Sequence, residues 1–368
     1  MALSQVGLER LNTSVTDKIG ERKNLIINGA MQVAQRGNVS SVTDGYGGAD
    51  RFKFNRSGAA VVTLRQQGVG NSPTDQGFGF CQQIDVTTAD SSLAAGDYAL
   101  ISYRFEGQDL QQLKKGTANA QQVTLSFYIK SPKTGTHIVE LVDQSNSARH
   151  VNKAYTVSSA NTWEKKTVTF PMETSNTITN DNARGMDLNW WLAAGSTYSS
   201  GSLQTSWGAD TNANRAVGQV NCMDSTDNNI FITGVQLELG TVATDFEHRS
   251  FAEELRSCYR YFYHTGADST DTAYFDDAGG VAQAESTTKA ICAVRHPVEM
   301  RSTPTVTLFD AVDASGNVTQ KGHTHGIPAV ANQSGRIGFQ RVSASGSPTF
   351  QLSGEKPVSF GYKAESEL

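Results

Sequence analysis

The sequence predicts a mainly β protein: an antiparallel jelly-roll or β-sandwich domain, a short amphipathic connector helix, and a second, smaller C-terminal β-sandwich domain. Three observations carry this expectation. Apolar and polar residues alternate through most of the chain, as in half-buried strands. The alternating runs are separated by Gly, Asn, Ser and Asp clusters, with no interleaved helices to support a parallel sheet. One stretch, "DFEHRSFAEELRSCYRYFYH" from Asp245 to His264, breaks the pattern by placing Phe251, Leu255, Cys258 and Phe262 on one face of a helix. No short repeat of the kind a parallel β-helix needs is present.

At 368 residues the chain exceeds a usual single core, so two domains with short appendages are expected. Only 18% of the residues are charged, 38% are hydrophobic and the net charge is -5, which describes a folded chain dressed mainly in uncharged polar groups. Such a surface lacks the concentrated Lys and Arg that grip phosphates, so no nucleic-acid partner is expected. Lys114 with Lys115 reads as a solvated turn. No run reaches a membrane span, and "MALSQVGLER" has neither the charged start nor the apolar core of a signal peptide, so no membrane insertion is expected and synthesis is placed in the cytosol. Cys81, Cys222, Cys258 and Cys292 lack the close pairing of metal or redox motifs and read as reduced, mostly buried small hydrophobes.

Residues 1–23 carry sparse apolar positions and form either a floppy terminus or a segment ordered by a partner surface. Residues 24–248 form the jelly-roll β-sandwich, entered through "KNLIINGAMQVAQRG" with an Asn-Gly turn at Asn28 and Gly29. Within it, "QVTLSFYIKS" puts Val123, Leu125, Phe127 and Ile129 on one face. Residues 249–262 form the connector helix. Ser250 and Glu253 make a capping box, Arg256 and Arg260 suit the closing turns, and the helix is expected from about Phe251 to Tyr261. So short a helix must pack through Phe251, Leu255, Cys258 and Phe262. Residues 263–368 return to strands as the C-terminal β domain.

The richest candidate site lies in "DLNWWLAAGSTYSSGSLQTSWGADTNANR". Parity in the strand sends Trp190 to the core and Trp191 to the other face. Trp191, with Tyr198, Trp207, Asn212, Asn214 and Arg215, fits an exposed cleft for a glycan, whose rings offer apolar faces and many hydroxyls. The competing reading is that these aromatics anchor a long loop or fill a subunit interface. Trp163 reads as core or strand-end packing. His323 and His325 are weak metal candidates, two imidazoles on one side of a strand, or else an exposed loop. No nucleophile-elbow, zinc-protease or phosphate-loop pattern appears, so no catalytic residues and no cofactor are assigned.

Several longer segments carry a resemblance. "KNLIINGAMQVAQRG", "GADRF", "YRFEGQDLQQLKKGTANAQQVTLSFYIKS", "NTWEKKTVTF" and "GVQLELGTVATDFEHRSFAEELRSCYRYF" resemble tailed-bacteriophage virion proteins of the tail-fibre-like family, found in phages of aquatic bacteria; the resemblance covers roughly residues 24–262. It implies a virion protein made in the host cytoplasm, commonly a homotrimer, with a carbohydrate-binding-module-like jelly roll and sometimes a structural metal ion such as calcium. The expected partners are further copies of the chain, other virion proteins through residues 1–23, and a host-surface glycan or envelope protein. The leading expectation is a tail fibre that binds a host receptor. The alternative is an architectural capsid decoration or head fibre, with a capsule depolymerase ranked lower.

Overall fold

The computed structural model describes residues 23–265, 280–310, 315–320, 326–352 and 357–368. Residues 1–22, His323 and His325 lie outside the described residues, and with them nearly all of the expected attachment segment and both metal candidates. No helix among the described residues is long and apolar enough to cross a membrane.

Twelve strands build two facing six-stranded antiparallel sheets: β1 (Val39–Val42), β2 (Asp44–Tyr46), β3 (Phe52–Ser57), β4 (Val61–Gln67), β5 (Cys81–Thr88), β6 (Tyr98–Glu106), β7 (Val123–Lys130), β8 (Gly135–Asp143), β9 (Arg149–Val157), β10 (Glu164–Phe170), β11 (Arg184–Ala194) and β12 (Asn229–Leu239). The first sheet runs β1-β4-β5-β12-β7-β10 and the second β2-β3-β6-β11-β8-β9. The chain changes sheet at eight of the eleven connections between these strands, which is the jelly-roll weave. Alternation decides what lies between the sheets: Val123, Leu125, Phe127 and Ile129 of β7 meet Leu188 and Trp190 of β11 in one core. The Asn-Gly turn forms as expected. Asn28 takes a left-handed φ of 61°, and its side chain clamps both polar main-chain groups of Val33. Gly29 follows because a Cβ there would strike the Val235 carbonyl oxygen.

The connector helix α1 (Phe251–Tyr259) has its capping box: Ser250 Oγ accepts from Glu253 N at 3.3 Å, and Glu253 Oε2 accepts from Ser250 N at 3.0 Å. Its inner face differs from the expected stripe. Phe251 is 54% exposed, whereas Glu254, Leu255 and Cys258 turn toward the sandwich. Glu254 is tolerated there because its carboxylate accepts the Asn28 amide at 2.5 Å and Arg249 Nη1 at 3.3 Å. Phe262 is buried as expected, but on a strand, because the helix ends at Tyr259.

Beyond it, β13 (Phe262–His264), β14 (Gly280–Ser286), β15 (Lys289–Arg295), β16 (Thr305–Phe309), β17 (Asn317–Gln320), β18 (Ile327–Asn332), β19 (Gly338–Ala344) and β20 (Pro357–Glu365) form one eight-stranded sheet. Its ladder β20-β14-β15-β19-β18-β17 closes because β17 pairs back onto β20, and a second core, with Phe339, Phe360 and Tyr362, fills it. The residues after β20 return to the sandwich. Glu367 pairs with Arg51, and Arg36 reaches Glu365 at 3.1 Å and Glu367 at 3.3 Å. Arg51 is fully buried, with its guanidinium 3.4 Å from the Tyr261 ring centroid.

Lys115 overturns the solvated-turn expectation. It is 4% exposed, and its Nζ donates to Asp143 Oδ2 at 2.5 Å, Glu173 Oε2 at 3.1 Å and Asn176 O at 2.7 Å. Two carboxylates supplied from distant strands and loops make burial tolerable, and no local pattern announces them.

Candidate functional site: a groove on the second sheet

β6 and β11 lie side by side at the centre of the second sheet, with Ser102 opposite Asn189, Leu100 opposite Trp191 and Arg104 opposite Asp187. Because alternate residues point to opposite faces, Ile101, Tyr103, Leu188 and Trp190 enter the core while their neighbours face outward. Tyr98, Leu100, Ser102, Arg104, Asp187, Asn189 and Trp191 thereby line a groove of about 300 Å³, with Asn55 from β3 beside them. The loop after β11 supplies one wall through Tyr198, Asn212 and Arg215, and Gln144 and Arg184 close the far end. That loop is held by main-chain bonds, Gly201 N to Ala213 O at 2.8 Å, Ala216 N to Tyr198 O at 2.8 Å and Cys222 N to Leu192 O at 2.7 Å.

The groove is graded along its length. The seven residues of β6 from Tyr98 to Arg104 span roughly 20 Å of strand. At one end are rings: Tyr98 and Tyr198 meet edge to face at 5.4 Å, and both pack on Trp191, at 6.2 and 5.4 Å. In the middle is an amide and hydroxyl circuit. Asn55 Nδ2 donates to Ser102 Oγ at 3.1 Å, Ser102 donates to Asn189 Oδ1 at 2.7 Å, and Asn189 Nδ2 donates to Glu140 Oε2 at 2.9 Å. Glu140, on β8, is fully buried and takes a two-pronged grip from Arg215, Nε at 2.7 Å and Nη2 at 2.8 Å. Burial works against the charged Arg215, but Glu140 more than offsets it and its pKa rises. The Arg215 guanidinium also lies 5.2 Å from the Trp191 ring centroid. At the far end Arg184 grips Asp187, which also accepts from Gln144 Nε2 at 2.8 Å.

The structure brings together four of the six sequence candidates, Trp191, Tyr198, Asn212 and Arg215. Trp191 keeps its expected parity but is no exposed platform: it is 1% exposed, because Tyr98, Tyr198 and Arg215 lie over it. It is the floor on which the accessible rings rest. Trp207 points elsewhere, donating its Nε1–H to Pro171 O at 2.8 Å with Lys115 Nζ 5.0 Å from its ring. Asn214 holds the loop, its Oδ1 accepting from Ser202 N at 2.9 Å. Trp163 is half-buried at the start of β10, donating to Asn71 O at 3.0 Å. Sequence reasoning missed Asn55, Tyr98, Ser102, Glu140, Asp187 and Asn189. Their signal was present, a polar or aromatic residue at outward parity, but which strands are neighbours was not.

No family model matches the chain, and no curated protein matches it. Its structural neighbours are carbohydrate-binding modules and a phage tailspike domain, all at low identity. The enzymatically active domain of tailspike protein 4 from bacteriophage CBA120 is 13% identical with a TM-score of 0.32, over 59% of this chain and 21% of that one. A family 4 carbohydrate-binding module is 13% identical with a TM-score of 0.31, over 58% of this chain and 98% of its own. A family 11 module of a cellulosomal cellulase from Clostridium thermocellum is 11% identical with a TM-score of 0.29, over 58% of this chain and 98% of its own.

The groove is suited to holding a polar chain. It offers ring faces and edges at one end, amides and a hydroxyl in the middle, and guanidinium N–H groups along its length. Among the described residues no three His, Cys, Asp or Glu side chains are grouped to hold a metal ion.

Proposed function

We propose that this chain is a structural component of a phage virion, a homotrimeric tail fibre that attaches to the tail through residues 1–23 and binds a glycan on the host surface. The groove on the second sheet carries the binding part of this reading. It combines accessible tyrosines with a fixed row of amide and hydroxyl groups, the pairing that sugar rings require. The virion part rests on the sequence resemblance over roughly residues 24–262.

Binding without hydrolysis is the chemistry we assign. A glycosidase needs one carboxyl free to donate a proton and another free to act as base or nucleophile. Both carboxylates at this groove are instead gripped by arginine forks, Glu140 by Arg215 and Asp187 by Arg184.

The test is a glycan array probed with the parent protein and with Tyr198→Ala, whose ring lies over Trp191. A glycan held by the parent should bind the variant about tenfold more weakly, a loss of about 1.4 kcal/mol, while circular dichroism stays unchanged. Undiminished binding would remove the groove from the reading. Gold-labelled antibody on intact virions should mark the tail; label over the capsid would replace the tail fibre with a head fibre.

A further inference from the structure

We infer that the ligand of this groove is an anionic glycan, one carrying carboxylate or sulfate-ester groups; this rests on the glycan reading above. The hydrogen-bonding groups that the protein has already used determine what is left for a ligand. Both oxygens of Glu140 are taken, Oε1 by Arg215 Nε at 2.7 Å and Oε2 by Arg215 Nη2 at 2.8 Å and Asn189 Nδ2 at 2.9 Å. Both oxygens of Asp187 are taken as well, Oδ1 by Arg184 Nε at 2.6 Å and Oδ2 by Arg184 Nη2 and by Gln144 at 2.8 Å. The groove's strongest acceptors are therefore committed inward.

The donors are not. Arg104 gives one N–H to the main-chain oxygen of Leu368, and its Nε, shielded from solvent, has no acceptor among the described residues. The indole Nε1 of Trp191, 1% exposed on the groove floor, likewise has none. Of the groove's lining atoms, these two are the ones both shielded and unpartnered, and both are N–H groups. A shielded donor without an acceptor is costly and rare in native proteins. Arg184 and Arg215 each add a further nitrogen that makes no hydrogen bond among the described residues, Nη1 in both cases. Three guanidiniums with spare N–H groups around saturated carboxylates match a ligand that brings acceptors, and a carboxylate or sulfate oxygen is the acceptor guanidinium pairs with best. The neutral hydroxyls of a plain glucan, which bring a donor with every acceptor, match it less well.

The experiment measures calorimetric titrations of the whole chain with matched oligosaccharides. One pair is oligogalacturonate and its methyl ester; the other is a sulfated carrageenan oligosaccharide and its desulfated form. We expect at least one charged member to bind tenfold or more tightly than its neutral twin, with affinity falling as salt rises. The pair that responds identifies carboxylate or sulfate as the group read. Arg104→Gln should shrink that preference, weakening the charged member more than its neutral twin; an unchanged ratio would count against Arg104 as a reader of the anion. If charged and neutral twins bind equally, the anionic inference is wrong and the glycan reading stands. If none of the four binds and the array above is also blank, both are wrong.

Discussion

At the scale of single residues, the side chains that matter most are charged groups inside the protein. Lys115 holds Asp143 and Glu173 together; Glu173 keeps Arg149, but Lys115→Ala leaves the buried Asp143 carboxylate without its cation and should cost about 3–5 kcal/mol; a urea midpoint unchanged from the parent would contradict this. Asp50 gives the pH dependence. Burial pushes its carboxyl up to about 6, against the opposing pull of Arg36. An unfolded aspartate titrates near 3.9, so between roughly pH 4 and 6 the folded chain binds the extra proton and stability falls as pH rises. Above that window this group's contribution is gone, a loss of about 3 kcal/mol. Denaturant titrations of parent and Asp50→Asn at pH 4 and pH 7 should differ in this sense, with the variant losing less stability on going to the higher pH; identical pH slopes would sink the account. The groove's arginines belong to the same class. Arg215 was legible in the sequence as a polar loop residue, but its partner Glu140 lies 75 positions away, inside the run "THIVELVD".

Among the elements, the connector helix separates what local sequence dictates from what it does not. Ser250 and Glu253 are three residues apart, so their reciprocal capping could be read directly. Which face turns inward depends on the partner surface. The Asn28 amide and Arg249 make Glu254 a better inward residue than Phe251. Phe251→Ser should therefore change stability by less than about 0.5 kcal/mol, as for an exposed site. Leu255→Asp, which sets a carboxylate against the sandwich core, should loosen the helix and open a protease cut near residues 253–263. Equal protease resistance of parent and Leu255→Asp would show that the helix does not need that contact. The sheets follow the same division. Period-two alternation in "QVTLSFYIKS" revealed strand β7 and its inner face, but nothing local says that β6, β11 and β8 are neighbours. The groove exists because of that order, so nine of its thirteen lining residues could not be assembled into a site beforehand.

For the whole molecule, light scattering of the purified chain should give about three times 39.6 kDa if the fibre reading is right; a monomer at micromolar concentration would remove it. Deleting residues 1–23 should leave the β units folded and stop incorporation into virions, and normal assembly of the truncated chain would end the attachment proposal. The sandwich and the closed C-terminal sheet are joined twice: covalently, through α1 and β13, and again where residues 365–368 meet Arg36, Arg51 and Arg104. A single hinge would let the distal unit swivel freely about the chain. The two connections run side by side, with Phe262 opposite Glu365 and Ser366 N donating to Tyr261 O at 2.8 Å, so a doubled, cross-bonded ribbon resists twisting better than one strand would, and its end at Leu368 accepts from Arg104 on the strand that lines the groove.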